Sequence, residues 1–182
     1  MIYCVDLDGT LVQNDMSVTS FWYCLKRNPL IVFNCIFWYL KGKRSYIKHN
    51  LAPRFKFDVA SLKYNEQLIS WLEELKKDES NEIYLVSGST QSVVDKIASN
   101  FSFFAKGYGS TLEINLTGNN KLEFIKKTFN DVNNICYVGN SRVDFHVWAG
   151  VGYAAVVSDN ENFINKAHDT AKVLKVFRGS WK

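Results

Sequence analysis

The sequence lacks acidic residues over a long internal stretch, and this absence divides the chain into two unlike parts. No Asp or Glu occurs between Met16 and Phe57, whereas eight Lys and Arg residues fall in the same window. The 182-residue chain has a net charge of +4, so the window carries +8 and the remainder carries −4. This asymmetry predicts a basic segment inserted into an otherwise acidic domain.

Other absences exclude broad classes of protein. No secretory signal peptide is expected, because acidic residues follow directly after the first short apolar run. The four cysteines include no CxxC pair, which favours buried, reduced thiols and a cytosolic, reducing location. The apolar run at 30–40 has eleven residues, against roughly 20 in a helix that spans a bilayer, so we do not expect it to cross a membrane alone.

The first acids of the chain stand where a buried strand is predicted to end. Residues 2–5 form a short apolar run, and a strand would place the following Asp6 and Asp8 on one side. Gly9 permits a turn that directs backbone N–H groups toward an anion. Two neighbouring carboxylates repel each other unless a proton or a cation lies between them, and carboxylate oxygens suit Mg²⁺. We therefore expect a Mg²⁺ site at this position.

Two later apolar runs also end in polar residues. The run 83–86 leads to Ser87, and the run 135–138 leads, after one Gly, to Asn140. Strands that alternate with helical patterns predict an α/β fold with a doubly wound, mostly parallel sheet. In such a sheet the carboxyl ends of parallel strands share one edge, so these polar residues should gather near Asp6.

Two details of the predicted elements depend on local signals alone. Tyr64-Asn65-Glu66 is typical of a helix start with Asn65 as the cap. The apolar run 153–157 is expected to be the last strand, followed by a helix at 160–171 and a short tail.

The basic window is also strongly apolar. Ser17 is a plausible cap for a first helix, and Asn28-Pro29 begins a second whose residues 30–40 are apolar nearly all round. Three interpretations stay open: the helices pack on each other and on the main domain, they anchor on anionic lipid, or they form a groove for a substrate with an apolar tail and a phosphate head. No nucleic-acid partner is expected, because the window is too apolar and contains no recognised module.

The polar motifs resemble those of the haloacid dehalogenase superfamily of hydrolases. The first motif of that family, Asp-x-Asp-x-Thr after a strand, corresponds to residues 6–10. The second motif, an apolar strand ending in Ser or Thr, corresponds to Ser87. The third motif, a Lys near a helix start, fits Lys121, with Lys106 and Lys126 as alternatives.

The fourth motif, Gly-Asp-x-x-x-Asp, corresponds to residues 139–144 but has Asn140 in place of the first acid. An amide oxygen can bind Mg²⁺ but carries no charge, so weaker metal binding is expected than with Asp. Asp144 should follow one helical turn later on the same face.

The resemblance implies a Mg²⁺-dependent phosphomonoester hydrolase that acts through an aspartyl-phosphate. The implied catalytic residues are Asp6, Asp8, Ser87 and Lys121. The implied metal-binding residues are Asp6, Asp8 through its backbone carbonyl, Asn140 and Asp144, the last of which could also orient a metal-bound water or the lysine. Substrate binding is assigned to Gly9, Thr10, Gly88 and Arg142. Residues 13–62 would form a helical cap over a core made of 1–12 and 63–182.

A narrower resemblance is to the soluble phosphatase-like domain fused ahead of some UbiA-type membrane prenyltransferases. It implies a phosphorylated substrate that is prenyl-linked or otherwise lipid-linked, a membrane-surface or prenyltransferase partner, and a cytoplasmic location peripheral to the inner face of the membrane. The stretches that carry it are 27–30, 64–72, 115–121 and 139–144 with Trp148. The alternatives are a phosphatase of small soluble metabolites such as phosphosugars or phosphoserine, a phosphotransferase, and a non-catalytic module that partners a membrane enzyme.

Overall fold

The computed structural model describes residues 1–181, without the side chain of Lys43, and it contains one six-stranded sheet. The strands lie in the order β3-β2-β1-β4-β5-β6, and every neighbouring pair is parallel. The strands are β1 Ile2–Val5, β2 Glu82–Thr90, β3 Phe104–Ser110, β4 Ile135–Gly139, β5 Tyr153–Val157 and β6 Lys172–Phe177. The predicted α/β, doubly wound architecture is confirmed.

Helices cover both faces of this sheet. They are α1 Met16–Arg27, α2 Ile31–Leu51, α3 Glu66–Lys76, α4 Gln91–Ala98, α5 Asn119–Thr128, α6 Phe145–Trp148 and α7 Glu161–Thr170. Side chains alternate along β1, so Val5 packs in the core that includes α3 and α4, and Cys4 packs in the core that includes α5, α6 and α7. Because both faces are buried, the central strands are almost entirely apolar.

The sheet has an edge strand that the sequence analysis did not predict. Residues 172–177 form β6 beside β5, where the sequence suggested only a tail. β6 is an edge strand in which Phe177 alone is fully buried, so its apolar pattern is weak. On the other edge, β3 runs on to Ser110 because Gly107 allows close approach to α4: a Cβ there would lie 2.8 Å from a Val94 methyl group.

The helix starts in the basic window also differ from prediction, whereas Asn65 caps α3 as predicted. Asp15, not Ser17, caps α1, since its side chain accepts hydrogen bonds from the Ser17 and Val18 backbone N–H groups. α2 begins at Ile31, two residues after Pro29, and continues through the basic residues to Leu51. Tertiary packing sustains this length, because Leu51 is buried in a small core with Cys24, Ile31 and Trp38.

The chain leaves and re-enters the main domain at one place. The Gln13 N–H donates to the Lys63 carbonyl at 2.9 Å, and the Asn65 N–H donates to the Leu11 carbonyl at 3.0 Å. The residues between these pairs, 14–62, contain α1 and α2 and have their own apolar core. Among residues 1–181, no helix has both the length and the hydrophobicity that crossing a bilayer requires.

All four cysteines are free thiols, and Cys4, Cys24 and Cys136 are buried. Burial raises the pKa of the Cys4 and Cys136 thiols well above the ordinary value. These two therefore act as small apolar core residues, because the reactive thiolate is strongly disfavoured.

Candidate active site

The candidate site lies where the direction of strand order reverses. From β1 the chain adds β2 and β3 on one side, and then β4, β5 and β6 on the other. Open parallel sheets bind ligands in the crevice outside the carboxyl ends of the strands at this reversal point. The acids after β1, the serines at the end of β2 and Asn140 after β4 all lie at this edge.

A buried ion pair forms one half of the site. Lys121 Nζ lies 2.7 Å from Asp6 Oδ1 and 2.6 Å from the Tyr137 hydroxyl. Burial raises the pKa of Asp6 to about 7; the Lys121 cation acts against this rise, and the charges of Asp144 and Asp8 add to it. Lys106 and Lys126, the other candidates for the third motif, are exposed, so Lys121 is the lysine that the fold brings to Asp6.

Asp144 holds the loop after β4 in place. Its Oδ1 accepts a hydrogen bond from the Tyr137 hydroxyl at 3.0 Å. Its Oδ2 accepts three, from the Asn140 N–H at 3.0 Å, the Ser141 N–H at 2.8 Å and the Ser141 hydroxyl at 2.7 Å. Both oxygens are therefore already engaged within the protein. This geometry suits the orienting role, because Asp144 already holds the Tyr137 hydroxyl and the backbone of Asn140 and Ser141 in place.

Asp8 is held by groups from two other elements. Its Oδ1 accepts a hydrogen bond from the Met16 N–H at 2.6 Å, at the start of α1. Its Oδ2 accepts from the hydroxyls of Ser87 at 3.2 Å and Ser89 at 2.8 Å, at the end of β2. Burial raises the pKa of Asp8, and the hydrogen bonds from Met16 and Ser89 act against this rise. The carboxyl group is thus fixed in position and its protonated form is favoured relative to a free Asp.

The turn after β1 is shaped around Asn140. Gly9 has a φ of +74°, and a Cβ at this position would lie 2.2 Å from the Asn140 side-chain nitrogen. The Thr10 hydroxyl donates to Asn140 Oδ1 at 3.2 Å, and the Thr10 side chain is fully buried. The Thr10 hydroxyl is thus turned toward Asn140 and positions that amide, and the role of Thr10 in substrate binding stays a prediction.

The other two residues assigned to substrate binding lie at different depths. The Gly88 carbonyl accepts hydrogen bonds from Lys48 Nζ at 3.2 Å and from the Ser110 hydroxyl at 2.9 Å. Arg142 is exposed in the short turn that follows Asn140. Gly88 thus lies in β2 where Lys48 of the insertion contacts the sheet, whereas Arg142 lies on the protein surface.

Three residues of the site were missed by sequence reasoning. Ser89 shares a side of β2 with Ser87, which the period of two would have shown if the strand had been extended to Thr90. Tyr137 lies inside an apolar strand, where an aromatic residue gives no functional signal. Lys48 lies in the basic cluster, and nothing local distinguishes it from Lys41 or Arg44.

The oxygen atoms at the site fit a hard divalent cation only in part. In the described part of the chain, no three Asp, Glu, His or Cys side chains converge as a metal site. The predicted ligand set of Asp6, the Asp8 backbone carbonyl, Asn140 and Asp144 stays a prediction, and the Asp8 and Asp144 side chains are turned toward Ser89 and Ser141. Asp6, the Asp8 backbone carbonyl and the Asn140 amide supply oxygen atoms of the kind that Mg²⁺ prefers.

Two cavities lie along the insertion, and both are lined by Ser17 and Lys48. One, of about 10 Å³, has room for a single water and separates the insertion from the end of β2. The other is a groove of about 430 Å³ between α1 and α2, a size usual for small-molecule sites. The groove is lined by Asp15, Ser17, Val18, Phe21, Arg44, Ile47, Lys48 and Leu51.

Comparison with known sequences finds one curated relative of low identity. No protein-family model matches the chain. The uncharacterised protein y4nM of Sinorhizobium fredii is 28% identical over 164 residues, which are 90% of this chain and 31% of y4nM. The chain thus spans about a third of the length of this relative.

Solved structures with the same fold are hydrolases of the haloacid dehalogenase type. Apo phosphoserine phosphatase superposes with a TM-score of 0.66 at 14% identity, over 98% of this chain and 94% of that one. The hydrolase t0658 of Salmonella enterica serovar Typhi has a TM-score of 0.64 at 14% identity, over 95% of this chain and 66% of that one. Phosphoserine phosphatase with a phospho-aspartyl intermediate analogue has a TM-score of 0.62 at 15% identity, over 97% of this chain and 92% of that one. The chain therefore has the haloacid dehalogenase hydrolase fold, as its motifs implied.

Proposed function

We propose that this protein is a phosphomonoester hydrolase that uses Asp6 as its nucleophile. The observation that carries the proposal is the pairing of buried Asp6 with Lys121 beside a second carboxyl group, Asp8, held by the Ser87 and Ser89 hydroxyls. Carboxylates in different environments suit different roles in one reaction. A phosphoserine phosphatase of the same fold has been solved with a phospho-aspartyl intermediate analogue, which supports an aspartyl-phosphate here.

In the first step, the Asp6 carboxylate attacks phosphorus and the bond from phosphorus to the leaving oxygen breaks. Asp8 gives its proton to that oxygen, and its raised pKa favours the protonated form that this requires. Lys121 offsets negative charge at Asp6 and on the phosphoryl group. Ser87 is placed at the end of β2 to donate to a phosphoryl oxygen if it exchanges its bond with Asp8.

In the second step, water attacks phosphorus of the aspartyl-phosphate and phosphate leaves Asp6. Asp8, now ionised, accepts the proton of that water. The residues that would hold Mg²⁺ are Asp6, Asn140 and the Asp8 backbone carbonyl. Bound there, Mg²⁺ supplies charge neutralisation at the phosphoryl oxygens. Thr10 contributes by holding the Asn140 amide in position.

The groove between α1 and α2 supports a substrate with an apolar part. Phe21, Ile47 and Leu51 line it, and Lys48 places a cation at its inner end, within hydrogen-bond distance of the Gly88 carbonyl. The phosphate head of such a substrate would lie near the Lys48 cation, and its apolar tail would pack along these apolar side chains. We therefore propose a prenyl-linked or other lipid-linked sugar phosphate, handled at the cytoplasmic face of a membrane.

A second candidate is a non-catalytic module that partners a membrane prenyltransferase. Asn140 in place of an acid favours it, as does the lack of three converging carboxylates in the described residues. A phosphatase for small soluble phosphosugars or phosphoserine is the third candidate, and the 10 Å³ cavity next to Ser89 favours it by leaving little room under the insertion.

A phosphate-release screen separates these candidates. Purified protein is incubated with Mg²⁺ or EDTA and with phosphoserine, phosphosugars and prenyl-linked sugar phosphates in detergent. The proposal predicts Mg²⁺-dependent release, greatest with the prenyl-linked compounds, and phosphate on the Asp6 peptide after acid quench. Asp6→Asn should abolish release with the fold intact, whereas the exposed control Asp169→Asn should not. Full turnover by Asp6→Asn would disprove the nucleophile assignment, and no release by the native protein would favour the non-catalytic module.

A further inference from the structure

The α1–α2 insertion concentrates the exposed apolar residues of the protein. Among the residues that the structure describes, thirteen large hydrophobic side chains are exposed, and nine of them lie between residues 18 and 40. Five of the nine share one arc of α2 at helical spacing, and we call them the α2 apolar face. They are Leu30, Phe33, Ile36, Phe37 and Leu40, with relative exposures of 54–79%.

The fold of the insertion does not use this face. The opposite side of α2 carries Ile31 and Trp38, which are buried against Cys24 of α1 and Leu51. The insertion therefore already has a core, and the α2 apolar face adds nothing to it. Contiguous apolar surface of this kind marks an interaction site.

The charge around the face indicates what covers it. The window 16–57 has eight basic residues and no acid. Lys26 and Arg27 end α1, Lys41 follows the apolar face directly, and the Lys41 ammonium lies 4.7 Å from the Phe37 ring centroid. Aromatic and aliphatic side chains edged by cations, with no anion among them, match the interface and headgroup layers of an anionic bilayer.

We propose that the α2 apolar face inserts into the surface of an anionic lipid bilayer, with the basic residues beside it on the headgroups. This inference goes beyond the phosphatase reaction and does not depend on it. It requires no spanning helix, since an amphipathic helix can lie in the interface plane.

The test is co-sedimentation with vesicles of phosphatidylcholine, with and without phosphatidylglycerol, at low and high salt. The native protein should bind the anionic vesicles at least about tenfold more tightly than the neutral ones, and salt should weaken this binding. Phe33→Asp/Phe37→Asp should reduce the binding about tenfold or more. Leu112→Asp/Ile114→Asp, which charges exposed apolar residues elsewhere, should leave it unchanged.

Three results would overturn the inference: no binding to anionic vesicles, equal binding to neutral ones, or equal losses in the two double variants. A native dimer without lipid that Phe33→Asp/Phe37→Asp converts to monomer would also overturn it, because a second copy would then cover the face. Mg²⁺-dependent phosphate release from the prenyl-linked sugar phosphate and from phosphoserine is measured on the same samples. Vesicle binding without turnover would reject the proposed reaction and keep the membrane surface.

Discussion

Lys121 Nζ contacts the Asp6 carboxylate at 2.7 Å, although 115 residues separate the two in the sequence. Both side chains are nearly inaccessible to solvent, at 4% and 11% exposure. A buried ion pair is weak evidence for stability, because desolvation of the two charges offsets their attraction. Its placement beside Asp8, at the reversal point of the sheet, supports the chemical role proposed for the pair.

Lys121→Met should leave the Asp6 carboxylate buried without its counterion. We expect a loss of about 3 kcal/mol in the free energy of unfolding at pH 8, and a smaller loss at pH 5, where Asp6 is protonated. Urea unfolding at the two pH values measures this. Lys127→Met, an exposed change on the same helix, should be neutral. Equal losses at both pH values would show that Lys121 serves packing alone.

Asp8→Asn should remove the proton donor for the leaving group while keeping hydrogen bonds to β2. We expect kcat to fall about 100-fold for alkyl phosphates, whose leaving oxygen needs a proton. The loss should be much smaller for nitrophenyl phosphate, whose leaving group departs as an anion. The measurement is kcat for both substrates in native and variant protein. The same loss with both would exclude Asp8 as the general acid.

Asn140→Asp should strengthen metal binding, because it adds a charge where Thr10 now orients a neutral amide. We expect the Mg²⁺ concentration for half-maximal turnover to fall about tenfold. This corresponds to a binding free energy that is more favourable by about 1.4 kcal/mol. Titration calorimetry with Mg²⁺ alone gives an independent reading. Unchanged Mg²⁺ affinity by both methods would place the metal away from Asn140.

Lys48→Ala should weaken substrate binding more than chemistry, since Lys48 reaches the site from α2 and touches the Gly88 carbonyl, not Asp6. We expect KM for a phosphomonoester to rise about tenfold with kcat within about threefold. Lys26→Ala, an exposed change on α1, is the matched control. A fall in kcat with KM unchanged would instead assign Lys48 to the chemical step.

The stability of the metal-free protein should fall as pH rises from about 4 to about 7. Burial raises the pKa of Asp6 from 3.8 to about 7, so over this range the folded state keeps a proton that the unfolded state releases. The free energy of unfolding should decrease by up to about 4 kcal/mol over this range. Asp6→Asn should make the decrease smaller. Urea unfolding in EDTA measures both. Asp169→Asn should keep the native slope. A stability that rises over this range would contradict the raised pKa.

The parts of the fold that follow from local pattern were predictable. β1, β4 and β5 are continuous apolar runs because they are buried on both faces, and Asn65 caps α3 as its sequence indicates. The edge strand β6 escaped prediction because edge residues are only half covered. The apolar run at 30–40 indicated only the first half of α2, because the second half is sustained by packing and not by an apolar pattern.

The candidate site was also predictable only where it depends on local pattern. Asp6, Asp8 and Gly9 are adjacent in the chain, so the spacing of residues within one strand and turn was enough to place them together. Lys121, Lys106 and Lys126 look alike locally, and only the packing of α5 against the sheet buries Lys121 next to Asp6. The contacts of Asp144 with Tyr137 and of Thr10 with Asn140 were likewise not predicted, because they depend on how the loop after β4 packs against the turn after β1.

Residue order alone was sufficient for the α/β class, the motif positions and the basic, apolar character of the insertion, because each depends on period, composition or spacing along the chain. The three-dimensional packing decided which lysine pairs with Asp6, how Asp8 is held, and which side of α2 stays uncovered. Those outcomes depend on distances between elements that lie up to 115 residues apart, and no local pattern encodes such distances.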